Sequence, residues 1–243
     1  MRKYDTHSIV EGALLSAIPI IISLAALYLP IIGVFASLIW PVPIIILGIR
    51  HGKVSILATI VSGVIVAMIE GPVHALTVVL GFGLIGIVMG WAIRKQYEPF
   101  KVLAIGAMAS LVSKVILISI SLFIMGINPI AEEIAIMRES ISMVESMYGK
   151  MGVSPENLKT ITQSFSKMID LMAVAIPAIL VLASLLDAFL SYVVTRGILS
   201  RLGQKLKGFT PFWMWRFPAY TVFLFLVGVL LAMIEAYWPH GIL

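Results

Sequence analysis

Seven apolar stretches dominate this chain, at about residues 9–28, 31–48, 54–69, 73–93, 102–125, 168–195 and 219–237. Several approach the roughly 20 residues with which an α-helix crosses about 30 Å of hydrocarbon. In hydrocarbon every backbone N–H and C=O must be satisfied internally, which leaves helices and closed barrels. Barrel strands show short polar–apolar alternation, whereas these runs are continuous. The expectation is an all-α, polytopic transmembrane bundle of about seven spans, one integral membrane domain over residues 1–243. Composition agrees, since 60% of residues are hydrophobic and 12% charged, an apolar surplus that a water-soluble domain would have to expose.

Met1-Arg2-Lys3 precedes the first run in the manner of a secretion signal. That run is about twenty residues long and has no small-x-small cleavage site before Pro30, so a retained first helix is expected. The absence of cysteine excludes disulfides, thiolate chemistry and cysteine metal sites.

The net charge of +5 reads as a topology signal, not as a nucleic-acid footprint. With the N-terminus in the cytoplasm, twelve basic residues fall inside: Arg2, Lys3, Arg50, Lys53, Arg94, Lys95, Lys101, Arg196, Arg201, Lys205, Lys207 and Arg216. Arg138, Lys150, Lys159 and Lys167 fall outside in one loop, and Lys114 is intramembrane. The positive-inside rule therefore places the N-terminus in the cytoplasm. That orientation is opposite to the seven-helix receptors and rhodopsins. The last span also lacks the lysine that a retinal protein needs.

Two loops stand out. In the outer loop, 126–167, Asn128-Pro129 supplies an N-cap and a first-position proline, with Glu132 and Glu133 facing the helix dipole. Ile134, Met137, Ile141, Val144 and Tyr148 make an amphipathic face, and Gly152 is the expected terminator. Ser154-Pro155-Glu156 opens a second helix that runs directly into the sixth span. The loop is thus expected to be an outer helical hairpin between spans five and six, either an interfacial anchor or a lid over a site. The inner loop, 196–218, has five basic residues up to Arg216, no acidic one, and Phe212, Trp213 and Trp215. It suits contact with anionic lipids over 196–216, or docking of a partner.

Gly81-Phe82-Gly83-Leu84-Ile85-Gly86 spells GxGxxG. It lies inside the fourth span and not after a strand, so it reads as close helix packing, continued by Gly86 and Gly90. In the first span Gly12/Ser16 and Ala13/Ala17 form two small-xxx-small pairs, a face for packing within the chain or for docking a separate membrane protein. Lys114 and Asp187 lie within spans five and six, where an isolated charge is costly. They are expected to form an intramembrane ion pair, structural in the first instance, with a proton or ion relay as the alternative.

Glu70 and His74 bracket Gly71-Pro72 at the outer ends of spans three and four. With Asp170, Glu235, Tyr237 and Trp238 they are candidates to ring an outward substrate pocket, although each also suits a hydrated interfacial position. There is no HExxH, GxSxG or Walker loop and no histidine pair at metal spacing. The expectation is a protein that is not an enzyme, with no catalytic residues, metal site or cofactor.

Glu11-Gly12-Ala13-Leu14-Leu15-Ser16-Ala17, the Pro41-x-Pro43 helix and the turn from Gly48 to Lys53 resemble the YybS-like bacterial membrane proteins. So do Tyr148-Gly149-Lys150-Met151-Gly152-Val153-Ser154-Pro155, Pro177, the inner run from Arg196 to Gly203, Pro211-Phe212 and Trp215-Arg216-Phe217-Pro218. These proteins are in turn similar to the S components of energy-coupling-factor transporters, and more distantly to MreD cell-shape proteins. The resemblance implies an S-component-like core in the bacterial cytoplasmic membrane. It also implies a vitamin or metal ion held under outer loops, and docking onto a T component with ATPases through an AxxxA face, here Ala13 and Ala17. Two functions are expected from it: a substrate-binding uptake subunit without its own ATPase, or a non-transporting scaffold for envelope, shape or division proteins.

Overall fold

The computed structural model describes residues 6–28, 39–150 and 154–209. The chain divides into two compact units, Met1–Lys207 and Gly208–Leu243, and nearly all described residues belong to the first. The expected seventh span, Glu235, Tyr237, Trp238, the inner-loop aromatics and Gly152 lie outside the described residues.

Every regular element among the described residues is a helix, and none is a strand. Seven helices follow in order: α1 Thr6–Tyr28, α2 Val42–His51, α3 Val54–Glu70, α4 Pro72–Arg94, α5 Pro99–Phe123, α6 Pro129–Lys150 and α7 Pro155–Arg201. By length and apolarity α4, α5 and α7 each suffice to cross a membrane, while α2 and α3 are shorter apolar helices.

Prolines and glycines punctuate the chain. The span over residues 31–48 is expected to be one helix kinked at Pro41 and Pro43. Instead Trp40 and Pro41 form a turn and the helix begins at Val42. The cause is local: Pro41 and Pro43 lack N–H groups, and each disfavours helical geometry in the residue before it. Gly52, at φ +57°, reverses the chain between α2 and α3, a backbone region in which glycine has no Cβ penalty. Gly71 at φ +94° does the same between α3 and α4, and Pro72 then occupies the first helical position, where its missing N–H costs nothing.

α2 is the most enclosed helix, buried from Val42 to Gly48. It packs principally against α4, and α5 packs against α4 and α7. Glycine makes the α2–α4 approach possible, because a β-carbon on Gly86 would stand 2.7 Å from the Ile44 side chain. α4 itself widens to a π-helix over Thr77–Gly83. There the Ser113 hydroxyl of α5 donates to the Leu80 carbonyl. Trp40 stacks on Phe82 of the same segment, with centroids 4.5 Å apart.

The loop over residues 126–167 forms the expected helical hairpin. Asn128 Oδ1 accepts from the Ala131 N–H at 3.1 Å, and Ser154 Oγ accepts from the Asn157 N–H at 3.4 Å. α7 is 47 residues long, and at 1.5 Å per residue spans about 70 Å. It is the sixth apolar span and one arm of the hairpin in a single element. α6 packs along α7, with a small contact to α5.

Basic residues gather at one end. The α2–α3 turn carries Arg50 and Lys53, the end of α4 carries Arg94 and Lys95, and Lys207 joins them by pairing with Glu98 at 2.6 Å. Tyr192 OH donates to the Lys207 carbonyl at 2.7 Å, which ties the segment after α7 to this end.

Candidate functional site

Three features within the bundle carry chemistry. The first is the contact between α5 and α7. Helical spacing puts Ser110, Ser113 and Lys114 on one face of α5, and Ser184, Asp187, Ser191 and Thr195 on one face of α7. The structure brings these faces together. Lys114 Nζ lies 2.5 Å from Asp187 Oδ2. Ser110 Oγ donates to the same carboxylate oxygen at 2.9 Å and accepts from Lys114 Nζ at 2.6 Å.

The triad is neutral overall, and each member satisfies another. That is the condition for two charges to sit in a low-dielectric setting, where an unpaired one would cost several kcal/mol. Both charged side chains keep about 27% of their surface exposed, so this pair is sheltered without being sealed. Ser110, Ser113, Ser184, Ser191 and Thr195 are all buried. Among the described residues, the Oγ of Ser191 and the Oγ1 of Thr195 have no hydrogen-bond partner. Sequence reading singled out the two charges and missed the hydroxyls. Their signal was the 3–4–4 spacing from Ser184 to Thr195 on an otherwise apolar helix.

The second feature is the small-residue face of α1, which the structure divides. Gly12 and Ser16 are buried against α3: a β-carbon on Gly12 would stand 2.8 Å from Val54 Cγ1, and Ser62 Oγ donates to the Ser16 carbonyl at 2.9 Å. Ala13 is exposed and Ala17 half-buried. All four border a groove of about 500 Å³ between α1 and α3, whose other wall is Val54, Leu57, Ala58, Val61 and Ile65, with Lys53 at the α3 N-terminus bordering it too.

The third feature is a cleft of about 410 Å³ at the basic end, lined by Lys53, Arg94, Lys95, Trp91 and apolar residues of α3 and α4.

Of the residues expected to ring an outward pocket, Glu70, His74 and Asp170 are among the described residues. Glu70 is half-buried and His74 exposed, and His74 Nδ1 lies 3.2 Å from the Glu70 carbonyl oxygen. Asp170 is held within the hairpin by Arg138, at 2.8 Å. None of the three residues lines the cavities described above or the apolar cavity between α1, α2 and α7. No group of three or more metal-ligating side chains occurs among the described residues.

A family model described as "Predicted membrane protein (DUF2232)" matches residues 17–240. The chain is also similar to "Uncharacterized protein YybS" of Bacillus subtilis (strain 168), at 30% identity over 231 residues, which is 95% of this chain and 74% of the relative. No solved structure matches.

Proposed function

We propose, for a chain that belongs to the DUF2232 family of predicted membrane proteins, a role as a docking and substrate-binding subunit of a complex in the bacterial cytoplasmic membrane. It would be a multi-pass protein with no ATPase of its own, serving uptake of a small molecule such as a vitamin or metal ion. The observation that carries this reading is the groove between α1 and α3. Small residues at a helix surface let a second backbone approach closely, which is how helices associate where lipid supplies no hydrophobic drive. Gly12 and Ser16 spend that property on α3, while Ala13 and Ala17 keep it on an open side. The exposed Leu57 and Val61 complete an apolar seat for a helix of a T component. Ligand would enter at the end that carries Glu70 and His74.

A photocrosslinker at Ala13 of the full-length protein, in its native membrane, tests the docking. Adducts to a T component that co-purifies with ATPases support uptake. Thermal stabilisation by one ligand from a panel of vitamins and metal ions supports substrate binding. Failure of both overturns the reading.

One observation favours a second role. The hairpin of α6 and α7 continues past the apolar part of α7 by the 13 residues from Pro155 to Lys167, about 20 Å of helix. Such an arm suits a non-transporting scaffold, MreD-like in function, that recruits envelope, shape or division proteins. Adducts from Ala13 to envelope-synthesis proteins would select it.

A further inference from the structure

The cleft at the basic end has a composition that neither role above uses. Lys53, Arg94 and Lys95 stand around its mouth, while Ile56, Ile87 and Trp91 form its apolar wall. It exists because two glycine contacts bring the α2–α3 turn onto the end of α4. Gly48 and Gly90 meet backbone to backbone, and a β-carbon on Gly52 would collide with the Arg94 guanidinium. Arg94 thus lies across the turn that presents Lys53.

Two other cations at this end are engaged. Lys101 lies 4.1 Å over the Tyr97 ring, and Lys207 pairs with Glu98. None of the three cleft cations has an ion pair among the described residues, and no acidic side chain lines the cleft. Glu98, the acid nearest in sequence to Arg94 and Lys95, is held by Lys207.

Apolar surface continues from the cleft along α3. Ile56, Ile60 and Val64 recur every four residues, and all three are exposed. Trp91 is also exposed and T-stacked with Tyr97 at 5.7 Å. An indole beside basic side chains is the usual furniture of the membrane–water boundary. A ligand matching all of this carries negative charge at one end and a long hydrocarbon chain at the other. A free inorganic anion would leave the apolar wall unused, and a neutral lipid would leave three cations unanswered.

We propose that this cleft is a binding site for an anionic phospholipid of the surrounding bilayer. Its phosphate sits among Lys53, Arg94 and Lys95, and its acyl chain lies along Ile87, Ile56 and the α3 strip beyond. Basic pockets between membrane helices recognise acidic head groups in this way, and the attraction is stronger there than in bulk water because the dielectric is lower.

The test uses the full-length chain in phosphatidylcholine nanodiscs, doped at equal fraction with dibromo-chain phosphatidylglycerol or dibromo-chain phosphatidylcholine. Bromine quenches indole at short range, and subtracting a Trp91→Phe variant isolates the emission of Trp91. Stronger quenching by the brominated anionic lipid is expected. Each cation removed in a Lys53→Gln, Arg94→Gln, Lys95→Gln series should weaken the preference, by about fivefold per residue. Lys159→Gln with Lys167→Gln, which removes as much charge from the hairpin arm of α7, away from the cleft, should leave it intact. Equal quenching by the two lipids overturns the proposal, as does equal loss in the control pair. Reversal by millimolar inorganic phosphate would assign the cations to a free anion and overturn it as well. Should the triple variant fail to fold, the two lipids compared on the unaltered chain still decide.

Discussion

Gly48 and Gly90 meet with no side chain between them: a β-carbon on Gly90 would stand 2.9 Å from the Gly48 Cα, and one on Gly48 would stand 3.0 Å from the Gly90 Cα. The neighbour in each case is backbone, which cannot rotate away. Gly90→Ala should therefore destabilise the fold by about 1–3 kcal/mol, as overpacking does. Gly197 has nothing within 4 Å of a built β-carbon. Gly197→Ala should instead stabilise by up to about 1 kcal/mol, the difference in helix propensity. Thermal unfolding in one detergent measures both, and a Gly90→Ala protein as stable as the original would contradict the packing.

The Lys114–Asp187 pair predicts a coupled response. Lys114→Met or Asp187→Asn alone leaves a charge in the helix interface, at a cost of about 3 kcal/mol for a pair not wholly buried. The double variant removes both charges and should return close to the original stability. A double-variant loss equal to the sum of the two single losses would mean that the groups act independently.

Substitutions on α1 should separate packing from docking. Gly12→Leu places a side chain against Val54, 2.8 Å from where its β-carbon would lie, and should lower the unfolding temperature. Ala13→Leu projects from an exposed position and should leave that temperature unchanged while abolishing Ala13-region crosslinks to a partner. Loss of stability in the Ala13 variant would assign the whole face to packing within the chain.

Arg138 and Asp170 join the hairpin arms at 2.8 Å, but their side chains are 57% and 60% exposed. Water and salt screen such a pair, so Asp170→Asn should cost at most about 1 kcal/mol. The effect should vanish at high ionic strength. A large loss that salt does not diminish would show Asp170 to be engaged in something other than this bridge.

Much of the architecture is legible in the residues because its causes are local. The hairpin follows from Asn128-Pro129 and Ser154-Pro155, whose capping preferences act within one turn. Gly52 and Gly71 mark reversals because their backbone angles disfavour other residues. The interruption at Trp40–Pro41 is also local: the two prolines mark a kink there, and only its extent, a turn in place of a bent helix, is hidden, because hydropathy is blind to where a backbone turns. Glu70, His74 and Asp170 share an end in a sequence-derived topology. Sharing an end does not by itself fix which side chains meet, and in the structure Asp170 is paired with Arg138.

By itself, the sequence determined the solvent of this protein and its helical character, because in hydrocarbon the backbone has no other partner for its N–H and C=O groups. It also determined the clustering of basic residues into the turns that the structure gathers at one end. Only the tertiary structure decided how the small residues of α1 divide, Gly12 and Ser16 packed against α3 while Ala13 stands open. It alone closed Asp187 onto Ser110 and Lys114, 77 and 73 positions away in the chain. It alone assembled Lys53, Arg94 and Lys95 around one cleft, since a charge's neighbours across a helix interface are set by packing and leave no periodic trace in either helix.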